Sequence, residues 1–197
     1  MGAMLSRKKK IIVVILLCVG HVLIYREVLM PRPFSLHVLA AGKGTALLVE
    51  PPGGGILLID TGTDAEIVRS LGRELPPWVR HIDVLILTND SPSARGGLPF
   101  VREAYTIGTE LHIPPRGTRI DLGKGIFAES LWPPKTRTPL PYGNTSLIRI
   151  SGPHSTYLFE GKIPVRVNTF LSSLGEYTHL TERISSSTHA GTEYVEE

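Results

Sequence analysis

The stretch Ile82-Asp83-Val84-Leu85-Ile86-Leu87-Thr88-Asn89-Asp90-Ser91-Pro92-Ser93-Ala94-Arg95-Gly96-Gly97-Leu98 decides how this chain reads. Residues 82–87 are almost wholly apolar, as expected of a strand covered on both faces. Thr88 ends that strand, a short polar loop follows, and Gly96-Gly97 opens a helix expected from about Gly97 to Ala104. What the loop can do depends on the side chains between Thr88 and Gly96.

Working outward, three strand candidates precede this unit: Phe34 to Leu39, Thr45 to Glu50 and Gly55 to Ile59. The breakers Ala41-Gly42-Lys43-Gly44 and Pro51-Pro52-Gly53-Gly54 separate them closely enough to predict antiparallel hairpins. Asp60-Thr61-Gly62 ends the third strand. Thr63 or Asp64 can cap a helix to about Leu75, whose apolar face is Ile67, Val68, Leu71 and Leu75. Downstream, Glu110 to Ile113 completes a βαβ-like step. Strands are expected at 126–128 and 130–132, and a second hairpin pairs 146–150 with 156–159. Residues 171–197 are rich in Ser, Thr and Glu and predict a flexible tail.

The N-terminus is of another kind. Ser6-Arg7-Lys8-Lys9-Lys10 precedes Ile11 to Tyr25, a run without charge. A spanning helix typically needs about 20 apolar residues, so the run is short, but Arg26 can snorkel and Val28-Leu29-Met30 can lengthen it. No small-x-small cleavage site follows the run, so an uncleaved single-pass anchor is expected rather than a signal peptide. The basic cluster predicts a cytoplasmic N-terminus and an extracytoplasmic domain at the cell membrane. The expected division is 1–30 basic stub and anchor, 31–33 spacer, 34–170 folded domain and 171–197 tail. Residues 1–30 carry a net +4, and residues 31–197 a net −1. The basicity belongs to the anchor, so the domain's charge does not support a nucleic-acid partner. Cys18, the single cysteine, lies in the apolar run, which excludes a disulfide framework and a thiolate metal site.

The run Phe34 to Gly62 resembles the opening of the metallo-β-lactamase-like domain of ComEC/Rec2 competence proteins. That opening is a strand, a D-V-G-Q-G-D-A-like turn, a second strand, a P-x-G-like hairpin and I-D-x-G. Leu85 to Leu98 resembles the following L-I-L-T-H-x-D-x-D-H-x-G-G-L. Residues 142–147 and 157–162 resemble the later N-x-x-S-L and L-L-T-G-D hairpin. The resemblance covers about residues 34–162. It implies an α/β fold, an αββα metallo-β-lactamase-like sandwich, whose second half is expected to be incomplete at this length and which follows the one N-terminal transmembrane helix expected above.

Such enzymes hold one or two divalent metals by imidazole and carboxylate, which turn water into a nucleophile near neutral pH. In the resemblance the first loop histidine is Asn89, the first aspartate Ser91, the second aspartate Ser93 and the second histidine Ala94. The bridging aspartate is Lys162, and the aspartate of the first turn is Thr45. Asp60 is kept. As an isolated carboxylate at a strand end, it is expected to accept backbone N–H bonds in its own turn. Asp90 alone, without histidine partners, makes no zinc site. No catalytic residue, metal ligand or cofactor is therefore expected.

The leading expectation is a membrane-anchored, non-catalytic binding or scaffold module, linked through the resemblance to DNA uptake. Lys43, Arg95 and Arg149, with Lys135, Arg137, Lys162 and Arg166, are the cations that could line the old groove and hold an anion. One alternative is a residual metal-dependent hydrolase or nuclease using Asp60 and Asp90, which alone would call for zinc or another divalent metal. Another is a structural subunit in which a protein partner or a second copy covers an incomplete sandwich.

Overall fold

The computed structural model describes residues 2–29, 33–53, 55–133, 145–152, 154–160, 182–185 and 193–196. The chain divides into two units, Met1–Arg32 and Pro33–Glu197.

The first unit is the helix α1 (Gly2–Leu29). Its side chains from Ile11 to Val19 are exposed all round, so no buried stripe is seen among its described side chains. Among the described residues, no helix is long and apolar enough to cross a membrane. The uncharged run between Lys10 and Arg26 spans about 22 Å of helix, against about 30 Å of bilayer hydrocarbon. The segment expected to span the membrane is helical.

In the second unit β1 (Phe34–Ala41) and β2 (Gly44–Glu50) form a hairpin, and β3 (Leu57–Ile59) continues the antiparallel meander. Helix α2 (Glu66–Glu74) follows, and the Asp64 carboxylate accepts the Glu66 N–H at 2.9 Å. β4 (His81–Leu87) then lies parallel to β3. The short helices α3 (Pro92–Arg95) and α4 (Leu98–Ala104) lead to β5 (Thr106–His112), parallel to β4. The second sheet takes β6 (Arg119–Gly123), β7 (Ile126–Trp132), β8 (Leu147–Ser151), β9 (Thr156–Glu160) and β10 (Glu182–Ser185). A last strand, β11 (Glu193–Glu196), returns to the first sheet.

The first sheet has the order β11-β1-β2-β3-β4-β5 and the second β10-β9-β8-β7-β6. One apolar cluster fills the space between them, with Leu36, Leu47, Ile59, Ile86, Ile148 and Phe159 at its centre. A second cluster seats α2 and α4, through Ile67, Leu71, Leu98 and Val101, on the other face of the first sheet. Both faces of β4 are therefore covered, which is why its sequence does not alternate.

Two expectations change here. Within the segment read as a tail, β10 runs parallel to β9 and β11 antiparallel to β1. The buried Ile184 shows why: even a short E-R-I-S strand stabilises itself when its one apolar residue reaches the core. The second half, expected to be incomplete, contributes a five-stranded sheet. Among the described residues the helices cover the outer face of the first sheet only, so three layers of the expected αββα order are seen.

Candidate functional site

The residues singled out by the sequence collect at one end of the first sheet, where β3 and β4 finish and β1 turns into β2. Three segments interlock there. The Thr61 N–H and Oγ1 both donate to the Ala94 carbonyl, at 2.6 and 3.0 Å. The Gly97 N–H donates to the Gly62 carbonyl at 2.9 Å, and the Thr63 N–H to the Ala41 carbonyl at 2.9 Å. Gly62 has φ +67°, and a Cβ there would lie 2.0 Å from the Ala41 Cβ. The turn closes only because that atom is missing.

Asp60 is the centre of this end. It is 4% exposed and sits at φ +61°, a conformation that Asp tolerates better than most residues. Its own N–H donates to the Ile86 carbonyl at 2.8 Å. Its carboxyl takes the Thr88 N–H at 2.7 Å on Oδ1 and the Thr88 hydroxyl at 2.6 Å on Oδ2. Asp60 thus pins the end of β3 to the end of β4, rather than serving its own turn as expected. Burial pushes its carboxyl from an ordinary 3.8 up to about 7, against the opposing pull of the two Thr88 bonds.

The loop beyond Thr88 is closed on itself. The Asn89 Oδ1 accepts the Ser91 N–H at 2.9 Å and also the Ser91 hydroxyl. Ser91 and Ser93 share a hydroxyl–hydroxyl bond of 2.7 Å, and the Asn89 Nδ2 donates to the Thr88 Oγ1 at 3.2 Å. Ala94 is buried. A hydrogen-bonded chain therefore runs Asp60–Thr88–Asn89–Ser91–Ser93 through the positions where the resemblance places metal ligands. Two further residues complete it, and the sequence reading passed over both. Thr145 makes an isolated bridge with Asn89, and the Ser146 N–H donates to the Thr88 carbonyl at 2.6 Å. Their only sequence signal is their place in the N-x-x-S-L motif.

This donor set does not fit a divalent metal. It offers an amide, two hydroxyls and a methyl where imidazoles and carboxylates are needed, and its one buried carboxyl is engaged by Thr88. Among the described residues, no group of three His, Cys, Asp or Glu side chains is placed to hold a metal ion. His112 instead shares a 2.6 Å contact with Glu110, which Arg102 clasps at 2.8 and 2.9 Å. Burial alone would raise the Glu110 carboxyl, but those two partners hold it below its ordinary value. The His37 side chain is 12% exposed, with Nε2 3.6 Å from Glu50 and Nδ1 3.4 Å from Glu74.

The expected anion-holding cations are dispersed. Lys43 lies on the β1–β2 turn beside the loop, its N–H donating to the Thr63 Oγ1 at 3.0 Å. Arg95 pairs with Asp90 at 3.0 Å. Arg149 does not line the site, because it alternates with the core residues Ile148 and Ile150 and so faces away from the inter-sheet space, against Glu129 at 2.7 Å. Lys135, Arg137, Lys162 and Arg166 lie outside the described residues.

No family model and no curated relative matches the chain. Solved structures do. The metallo-β-lactamase fold protein YhfI from Bacillus subtilis superposes with a TM-score of 0.53 at 11% identity, over 82% of this chain and 99% of that one. A B3 metallo-β-lactamase with an active-site glutamic acid gives 0.52 at 17% identity, over 89% and 87%. A Cronobacter sakazakii metallo-β-lactamase HARLDQ-motif mutant gives 0.52 at 14% identity, over 77% and 76%. The second unit therefore has the two-sheet α/β metallo-β-lactamase fold, and identities this low speak for the fold alone.

Proposed function

We propose that this chain is a membrane-tethered, non-catalytic metallo-β-lactamase-fold module of ComEC/Rec2-like descent, with its domain outside the cytoplasm, that works by binding or scaffolding. The observation that carries the reading is the closed chain Asp60–Thr88–Asn89–Ser91–Ser93, in which the side chains at the ligand positions satisfy one another. A loop held by a metal depends on that metal for its shape, whereas this loop holds its shape through its own amide and hydroxyls.

The tether rests on α1, whose described apolar side chains, from Ile11 to Val22, are exposed. Such a helix needs an apolar environment, and snorkelling at Arg26 with local bilayer thinning accommodates its short run. The four motif resemblances connect the module to DNA uptake. A protein partner fits better than the DNA itself, because Arg95 and Arg149 each face a carboxylate.

Metal analysis of the purified full-length chain after zinc and manganese loading tests the reading. The expected result is no stoichiometric metal and no hydrolysis of phosphodiester or β-lactam substrates. One equivalent of zinc, retained through dialysis and lost on mutation of Asp60, overturns it.

A further inference from the structure

The first sheet ends at β5, and among the described residues β4 is its one neighbour. The strand reads Thr106-Ile107-Gly108-Thr109-Glu110-Leu111-His112, without the Lys or Pro that natural edge strands use to refuse a further strand. Thr106, Gly108, Thr109 and His112 are exposed.

One hydrogen bond fixes which main-chain groups of β5 face outward. The Ile113 N–H donates to the Leu87 carbonyl at 2.8 Å, so it points toward β4. The carbonyl across that planar trans peptide, that of His112, therefore points away from β4. Along an extended strand the direction alternates from residue to residue, so His112 and Glu110 both offer N–H and C=O to the open edge. Two residues apart, they also share a face of the sheet. It is the face of α4, since Arg102 clasps Glu110 at 2.8 and 2.9 Å and His112 meets it at 2.6 Å. Leu111, between them, points to the opposite face and packs against the inter-sheet core.

This pattern is complementary to itself. A two-fold axis on Leu111, with β5 antiparallel to a second β5, sets Glu110 opposite His112 of the second copy, and His112 opposite its Glu110. Each of these pairs can exchange two main-chain hydrogen bonds, and Leu111 meets Leu111 of the second copy in a non-hydrogen-bonded pair between them. The side chains agree with the main chain, because each carboxylate gains a facing imidazole. A register centred on Glu110 would instead set two carboxylates against each other.

We infer that β5 is the surface at which two copies of this chain join their first sheets into one, about a two-fold axis at Leu111. An isologous contact of this kind closes with two copies. Arg102, Glu110 and His112 of both copies form one charge network across the joint. The contact is independent of the tether and of the closed loop discussed above.

Light scattering of the full-length chain in detergent micelles, corrected for bound detergent, is expected to give a dimer. His112→Pro removes an N–H that points away from β4. It should weaken the dimer roughly tenfold or more, while the circular dichroism stays that of the folded chain. Leu111→Cys in a Cys18→Ser background should form a disulfide-linked dimer on oxidation. The Cα atoms of a non-hydrogen-bonded pair lie about 4.5 Å apart, within disulfide reach. Thr106→Cys, at the far end of the strand, should not link. A monomeric wild type overturns the inference. So does a dimer that His112→Pro leaves intact and Leu111→Cys does not link, the mark of assembly through α1 or another surface. Should His112→Pro fail to fold, the cysteine variants decide: linkage at 111 and not at 106 upholds the joint, and no linkage at 111 overturns it.

Discussion

The two ends of the first sheet spend their chemistry in opposite ways. At the site end, polar groups are buried: Thr88 bonds to Asp60, Thr61 and Ser146 donate to main-chain carbonyls, and the Thr145 hydroxyl is buried without a partner. At the Phe34 end, a large apolar side chain, Trp78, is 68% exposed. A metallo-hydrolase scaffold normally leaves ligands and an open coordination position at the former end. Here that end is closed by its own amide and hydroxyls.

The strongest test of the contrast is Gly62→Ala. A Cβ there meets the Ala41 Cβ at 2.0 Å and the Ala41 carbonyl at 2.3 Å, with φ at +67°. Unfolding by urea in detergent, followed by Trp132 emission, should show a loss of about 4 kcal/mol or more. Asp60→Ala comes next. It strands the Thr88 N–H and places Ala at φ +61°, so a loss of about 3 kcal/mol is expected from the same measurement.

The third test uses pH. With the Asp60 carboxyl near 7 in the fold and 3.8 as its ordinary value, the folded chain holds a proton that the unfolded chain has released. Its contribution to stability is therefore fully present below pH about 4 and is lost as pH rises through about 7. The slope approaches roughly 1.4 kcal/mol per pH unit within that window. In the neutral form Oδ2–H can donate to the Thr88 Oγ1 while Oδ1 still accepts the Thr88 N–H. Asp60→Asn offers the same pair of bonds without a charge, so it should flatten this slope and exceed wild type in stability at pH 8. A wild-type slope that persists in Asp60→Asn assigns the effect to another group.

Smaller effects sharpen the comparison. Ser91→Ala removes one hydroxyl from the closed chain and should cost about 1 kcal/mol. Trp78→Ala, at the other end, should change stability by less than about 0.5 kcal/mol, because nothing in either core rests on it. A larger loss there would show that Trp78 belongs to the fold and not to a surface.

Much of the architecture was legible because it follows from short-range rules. Closely spaced breakers predicted the β1–β2 and β2–β3 turns, and the unbroken apolar run 82–87 predicted a doubly covered strand. β10 and β11 were not legible, since Glu182–Ser185 and Glu193–Glu196 are too short and polar to show a period. Only long-range pairing with β9 and β1 makes them strands. At the site, Asn89, Ser91, Ser93 and Ala94 could be read as poor metal ligands directly. That they bond to one another, and that Thr145 and Ser146 close over them, could not.

The sequence by itself determined which atoms stand where the resemblance places metal ligands, and so which chemistry they lack, because donor type is a property of each side chain alone. Only the tertiary structure decided what those atoms do instead. Hydrogen bonds such as Asp60 to Thr88 join residues 28 apart in the chain, and their existence depends on β3 and β4 being laid side by side. The same parallel pairing sends the loop to one end of the sheet and Trp78 to the other.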